Sequence, residues 1–380
     1  MPALPVRCSF FGTYPRAYTV TQILRAAAIE AGFEVEECHV PVWEKHVVKT
    51  IRYFEPLSVT RRGAEYVWAA FRLARAYLKR SATTDVWLVG FQGQLDMILL
   101  RLLRPRVPVV FAPLVSLTET LVDDRQWSRP SSFAGRVLSW LDRRSLQAAD
   151  VVLSDTATHA AYLQEKFTLP GDKLRVFHLG PDWSTFHATR PREDGGPARV
   201  LFYGSFLPLH GVSTILGAAE LLTENSDIHF TLCGDGWEYT ACYQTAQRRR
   251  LRNVTFLPWM PYGKLPELIA GHDICLGIFG TGPKTAMVIP NKLYQCAAMG
   301  RPVVSADTQA VREVFIHGET AYLVPAGDAE QLAKAIGTLA ADRALRHRLG
   351  QQACELMLKK FSPAAQGQRF RDIVFECLQR

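Results

Sequence analysis

Short apolar runs of four to six residues alternate along the chain with longer segments whose apolar positions recur at helical spacing. Val6–Phe11 reads as a strand, Ala17–Ala31 as a helix with Ile23, Leu24, Ala27 and Ala28 on one side, and Val35–Val40 as a second strand. The pattern then predicts helices over Glu65–Lys79, Leu95–Leu103, Phe133–Ala148 and Thr156–Phe167. Strands Asp85–Gly90, Val107–Ala112, Asp150–Ser154 and Leu174–His178 fall around them. At His187–Ala198 the texture changes to HATRPREDGGPA, polar and rich in proline and glycine, which predicts a linker near 188–198.

A second alternating series follows. Strands are expected at Arg199–Tyr203, Ile228–Cys233, Val254–Leu257, Ile274–Ile278 and Pro302–Ser305, and helices at Val212–Leu222, Tyr239–Leu251, Lys264–Ile269 and Leu293–Met299. Pro290 fits the first turn of that last helix and Gly300 its C-terminal stop. Helices over Ala329–Ala341, Asp342–Lys359 and Pro363–Gln379 close the chain. Two such series predict an α/β protein with two doubly wound domains, 1–187 and 199–362.

Composition narrows the class. Of 380 residues, 48% are apolar and 21% charged, which suits folded cores and excludes a disordered chain. The eight cysteines form no CxxC pair and several sit in apolar runs, so reduced thiols and a cytoplasmic setting are expected, with no bound metal. MPALPVRCSFF carries no apolar leader, and no run of about 18 apolar residues would span a membrane.

The net charge of +8 is uneven. Residues 1–190 hold 24 Lys and Arg against 18 Asp and Glu, and Lys45–Arg80 holds nine against two. Such a segment attracts anionic surfaces. Trp68, Phe71 and Tyr77 interleave with Arg72, Arg75 and Lys79, so an anionic membrane surface is an expected partner and the inner face of the membrane an expected location. The commoner fate of such a helix is packing on its own core. Nucleic acid is not expected, because no motif for it is present.

Chemistry is expected in loops at strand ends. The first βα turn, GTYPR (12–16), has one glycine where a dinucleotide fingerprint needs three, so nicotinamide is disfavoured. The loop Pro113–Thr120 follows a strand end in the same half. In the second half Gly204–Gly211, Gly234-Asp235-Gly236, Pro258–Pro261 and Thr281–Lys292 occupy the same position relative to their strands. Lys284 and Lys292 flank a helix N-terminus suited to phosphate.

In order and spacing the chain resembles GT-B glycosyltransferases of family 4. The resemblance rests on YGSFLPLHGVSTILGAAELL (203–222), LCGDG (232–236), NVTFLPWMPYGKLPELIAGHDICLGIF (253–279), IPNKLYQCAAMGRPVVSAD (289–307) and VREVFIHGETAYLVPAGDAEQLAKAI (311–336). In the first half ADVVLSDTATHAAYLQEKF (149–167) and VFHLGPDWSTF (176–186) are similar too. It implies two facing Rossmann-like domains, with helix 363–380 crossing back to the first, and retaining transfer from a nucleotide-diphosphate sugar.

The resemblance implies donor contacts at Gly204, Ser205, His210, Gly211, Gly234, Trp259, Met260, Pro290, Asn291, Leu293 and Gln295. On the acceptor side it implies Gly12, Thr13, Tyr14, Arg16 and Ser116. Lys292, Lys284 and Glu119 are the expected catalytic groups, with Asp182 a further candidate for orienting an acceptor. The acceptor is expected to be a carbohydrate, lipid-linked or small-molecule hydroxyl, and no tightly bound cofactor is implied. The chain departs from the family where an Arg and a Lys are common, here Ser205 and His210. It departs again where two glutamates are common, here Met287 and Gln295. A catalytically inactive relative serving as a nucleotide, sugar or membrane adaptor is the alternative reading.

Overall fold

A computed structural model describes residues 5–42, 56–124, 129–192 and 195–379, without the side chains of 56–62 and 123–124. The chain divides into two compact units: unit 1 is Met1–Leu179 with Pro363–Arg380, and unit 2 is Gly180–Ser362.

Unit 1 runs β1 (Arg7–Gly12), α1 (Thr19–Glu30), β2 (Glu34–His39), α2 (Pro56–Arg80), β3 (Val86–Val89), α3 (Gln94–Leu102), β4 (Val109–Phe111), α4 (Phe133–Ala148), β5 (Val151–Ser154), α5 (Ala157–Phe167) and β6 (Leu174–Val176). All its pairings are parallel, in the order β2-β1-β3-β4-β5-β6. The strands are buried on both faces, which is why they read as unbroken apolar runs. One face packs α1, the other α2 to α5. Ser132 and Thr156 cap α4 and α5 by accepting from the N–H groups of Gly135 and His159.

Unit 2 runs β7 (Ala198–Ser205), α6 (Val212–Leu221), β8 (Ile228–Asp235), α7 (Tyr239–Arg248), β9 (Val254–Leu257), α8 (Leu265–Ala270), β10 (Ile274–Leu276), α9 (Pro283–Met287), α10 (Asn291–Ala298), β11 (Val303–Ala306), α11 (Gln309–Arg312), β12 (Tyr322–Val324), α12 (Ala329–Ala341) and α13 (Arg343–Phe361). Its sheet is also all parallel, in the order β12-β11-β10-β7-β8-β9. Asp342 stands between α12 and α13 and caps the second by accepting from the Leu345 N–H. The last helix, α14 (Pro363–Leu378), belongs to unit 1. Its Phe370, Ile373, Val374 and Cys377 join the core of β1 and α1.

The long helix in the basic segment extends from Pro56, nine residues earlier than its apolar pattern predicts. Residues 43–55 of that segment, and 193–194 of the expected linker, lie outside the described residues. Tyr77, expected at a membrane interface, instead faces the core, its ring 5.3 Å from that of Trp87. Strand β12 and helices α9 and α11 are too short to show a period, and the apolar pattern does not reveal them.

The strand order reverses between β1 and β3 in unit 1 and between β7 and β10 in unit 2. Open parallel sheets bind ligands outside the carboxyl ends of the strands at such a reversal.

Candidate functional site

In unit 2 the loops following β7 and β10 meet at this reversal. The backbone N–H of Phe279 donates to the His210 carbonyl (3.0 Å), and that of Gly280 to the Leu209 carbonyl (3.1 Å). Gly211 sits in the left-handed region (φ +60°), and a Cβ there would lie 2.4 Å from the Phe279 carbonyl carbon. Gly204 and Gly234 are paired across β7 and β8, and a Cβ on Gly234 would fall 1.9 Å from the Gly204 carbonyl oxygen. Glycine is required at Gly211 and Gly234 because backbone occupies the space a side chain would need.

Lys292 enters this backbone floor from α10. Pro290 is the N-cap of that helix rather than its first helical residue, and Pro283 takes the first position of α9 instead. Lys292 is only 7% exposed, and its Nζ has no hydrogen-bond partner in the structure. The ammonium lies 4.0 Å from the centroid of the Phe202 ring, a cation–π contact. A Cβ on Gly204 would stand 3.2 Å from Nζ and 3.5 Å from His210 Cε1, so all three residues border one space. Burial lowers the Lys292 pKa to about 7, with the nearby Cys296 opposing.

His210 is held by a hydrogen bond between Nδ1 and the Ser205 carbonyl. Burial, then Lys292, push its pKa well below the ordinary value; the Ser205 carbonyl opposes and Lys284 adds to the lowering. The ring is therefore neutral near pH 7, with Nδ1–H donating to Ser205. Lys284 is carried on α9, whose Thr285 hydroxyl donates to the Leu209 carbonyl (3.3 Å). Met287 is buried.

Gln295 is buried on α10. Its Oε1 accepts from the Tyr203 hydroxyl (2.7 Å) and its Nε2 donates to the Tyr262 hydroxyl (3.4 Å). Tyr262 in turn donates to Asp182 Oδ2 (3.3 Å), whose other oxygen accepts from the Ser184 N–H and hydroxyl. Asp182 therefore sits in unit 2, at the end of a side-chain chain leading into α10. Trp259 is half exposed and Met260 half-buried, so neither is sealed in the core. Leu293, expected among the donor contacts, faces the core, and its N–H is taken by the Pro290 carbonyl (2.9 Å). Asn291 opens the helix.

In unit 1 the loop after β1 is organised by Asp96, which the sequence reading did not single out. Thr13 donates to Asp96 through both its N–H (2.7 Å) and its hydroxyl (2.9 Å), and Tyr66 donates to the other carboxylate oxygen (3.0 Å). A Cβ on Gly12 would lie 2.5 Å from Asp96 Oδ2. Burial raises the Asp96 pKa to about 6 against the pull of these bonds. Tyr14 is buried with its hydroxyl unpartnered, and Arg16 is exposed and paired with Glu37 (2.5 Å).

Glu119 corrects an expectation. Instead of a loop carboxylate turned to solvent, it is 1% exposed and 2.9 Å from Nε2 of His159, itself fully buried. Asp155 Oδ1 lies 3.2 Å from the other ring nitrogen. Burial would lower the His159 pKa, but the two carboxylates outweigh it and push it up to about 10. Ser116 caps the same turn, its hydroxyl accepting from the Glu119 N–H (2.9 Å). Sequence alone gave no hint of His159, because its partner lies 40 residues away. Among the described residues, no three His, Cys, Asp or Glu side chains converge as metal ligands.

Two doubly wound parallel sheets, with a C-terminal helix returned to the first unit, define the GT-B fold. Residues 14–180 match the glycosyl transferase 4-like domain, and residues 185–355 match glycosyl transferases group 1. The chain belongs to this family of glycosyltransferases, of the family 4 type.

Alpha-D-kanosaminyltransferase of Streptomyces kanamyceticus is 27% identical over 252 residues, 63% of this chain and 64% of that one. The chain spans less than two thirds of the length of the curated relatives it matches first. The fold is that of sucrose-phosphate synthase from Thermosynechococcus elongatus (TM-score 0.75, 17% identity, 99% of this chain and 100% of that one). It is also that of Anabaena HepE, solved with UDP (TM-score 0.71, 14% identity, 98% and 100%).

Proposed function

We propose that this protein is a retaining glycosyltransferase that moves a sugar from a nucleotide-diphosphate sugar to an acceptor hydroxyl. The carrying observation is the buried, unpartnered ammonium of Lys292 beside Gly204 and His210 at the strand-order reversal of unit 2. A buried cation without a counter-ion is costly, and a diphosphate supplies the missing charge. HepE, with the same fold, has been solved with UDP and with UDP-glucose, which supports a nucleotide-sugar donor.

In this reading the diphosphate lies on Lys292 and the first N–H groups of α10, with Lys284 and His210 beside it. Gly204, Ser205, Gly211 and Gly234 form the backbone floor, Trp259 and Met260 border the base, and Gln295 holds α10 to Tyr203 and Tyr262. Unit 1 presents the acceptor, a carbohydrate, lipid-linked or small-molecule hydroxyl, near the Gly12–Arg16 and Ser116 loops.

As the bond from sugar C1 to the diphosphate oxygen breaks, negative charge grows on the leaving group, and the lysines stabilise it there. The ring carbon takes on oxocarbenium character. The acceptor oxygen attacks from the face the diphosphate leaves, and its proton passes to a diphosphate oxygen. No protein carboxylate is needed, which agrees with the inward turn of Glu119.

A panel of nucleoside diphosphates ranked by thermal shift identifies the base. Nucleotide sugars carrying that base, assayed for product, then test transfer. Failure of every nucleotide to shift the unfolding temperature would overturn the donor site. Binding without product would favour the inactive relative, for which Met287 and Gln295, standing in place of the two glutamates, speak.

A further inference from the structure

We propose that the outer face of α2 and α4 in unit 1 is a docking surface for an anionic lipid bilayer. The inference goes beyond sugar transfer and does not depend on the donor site.

On α2 the core side is Ala69, Leu73 and Tyr77, at helical spacing. The opposite side carries Val67 (71% exposed), Trp68 (58%) and Phe71 (71%), so the large apolar side chains that should be inside are outside. Core packing, the commoner fate of an amphipathic helix, uses the other stripe and does not explain this one. The same arrangement recurs on α4, where Phe133 (78%), Val137 and Trp140 (52%) are exposed at i, i+4 and i+7. Helix α3 packs against both helices and adds the exposed Leu102. The buried sides of the three share one layer on one face of the sheet, and the exposed apolar side chains lie on the sides turned away from it.

The charges on the same helices select the occupant. Exposed basic residues are Arg72, Arg75 and Lys79 on α2 and Arg136, Arg143 and Arg144 on α4. The one acidic residue of α4, Asp142, is fully buried, accepting from the Leu117 and Thr118 N–H groups, and adds no exposed negative charge. A second copy presenting the same face would bring like charges together. An anionic leaflet instead meets cations at headgroup level and large apolar side chains below them. The Arg72 guanidinium already lies over the Trp68 ring at 4.7 Å, a pairing suited to that boundary.

The test is co-sedimentation of the full chain with vesicles of phosphatidylcholine containing about 30% phosphatidylglycerol, against phosphatidylcholine alone, at low and high salt. Binding is expected to the anionic vesicles only and to weaken with salt. The exposed double variants W68S/F71S and F133S/W140S should each weaken it at least tenfold while leaving the thermal unfolding temperature unchanged. No binding at low salt, or undiminished binding by both double variants, would overturn the proposal. So would a wild-type dimer that W68S/F71S dissociates, or vesicle binding abolished by a nucleic acid competitor that itself binds this face. No substrate is present, so failure here leaves the donor reading standing.

Discussion

Each unit buries a cation, and the two are treated in opposite ways. In unit 1, His159 stands between Glu119 and Asp155, and its pKa rises to about 10. In unit 2, Lys292 is buried with an aromatic ring for company and no anion, and its pKa falls to about 7. A compensated buried charge is part of the scaffold, since removing one member strands the others. An uncompensated one burdens the fold, and in the function proposed above the donor diphosphate is its missing partner. Burial alone would have ranked the two alike; partnership separates scaffold from site.

The contrast is sharpest in paired substitutions. His159→Ala should cost about 3–5 kcal/mol of folding stability by leaving two carboxylates buried around a cavity, read by urea unfolding. Lys292→Met should do the reverse, leaving stability unchanged or higher, while the transfer barrier rises by about 2–4 kcal/mol, read as turnover. A Lys292→Met protein that unfolds easily yet turns over normally would dissolve the distinction.

The pH dependence of stability separates them next. The folded pKa of His159 is raised above its ordinary 6.5, so its stabilisation is complete below 6.5 and is lost as pH rises through about 10. The folded pKa of Lys292 is depressed below its ordinary 10.5, so its burden is greatest below about 7 and lifts as pH rises towards 10.5. The two slopes oppose each other in the wild type. Lys292→Met should therefore lose stability with rising pH across this window, and the opposite trend would break the assignment. Donor affinity, measured by calorimetry, should fall as pH rises above about 7, because the diphosphate calls for the ammonium form.

Gln295→Leu should cost about 1–3 kcal/mol by removing the acceptor of the buried Tyr203 hydroxyl, while Tyr262 keeps its bond to Asp182, seen in both unfolding and donor affinity. Lys284→Ala, at a half-buried position, should weaken donor binding by only about 1 kcal/mol or less. An effect as large as that of Lys292 would move the centre of the site towards α9.

Much of this was legible in the sequence. Glycine spacing and apolar runs placed the loops at strand ends, because those signals are local: Gly211 and Gly234 are demanded by the backbone next to them, and Gly204 by its own φ of +141°. Direction of burial was not legible. Glu119 reads as a loop carboxylate until the fold brings His159 to it, and Leu293 reads like its neighbours on α10 until the helix turns it inward. Asp96 organises the first loop from a helix more than 80 residues away, a distance no motif encodes. Tyr77 and Trp68 share one helix and one composition, and only packing decides which is core.

The 1.9 Å that would separate a Gly234 side chain from the Gly204 carbonyl also bears on how this protein can be changed. A library randomising the site would find positions 211 and 234 closed to every replacement for want of room, and position 204 disfavoured by its φ of +141°. A scan of variants would score them as essential although they do no chemistry. If the donor binds as proposed, a new donor preference is to be sought at Trp259, which is half exposed, and at the partly buried Met260. The adaptable part of the pocket is its rim, and its floor is fixed.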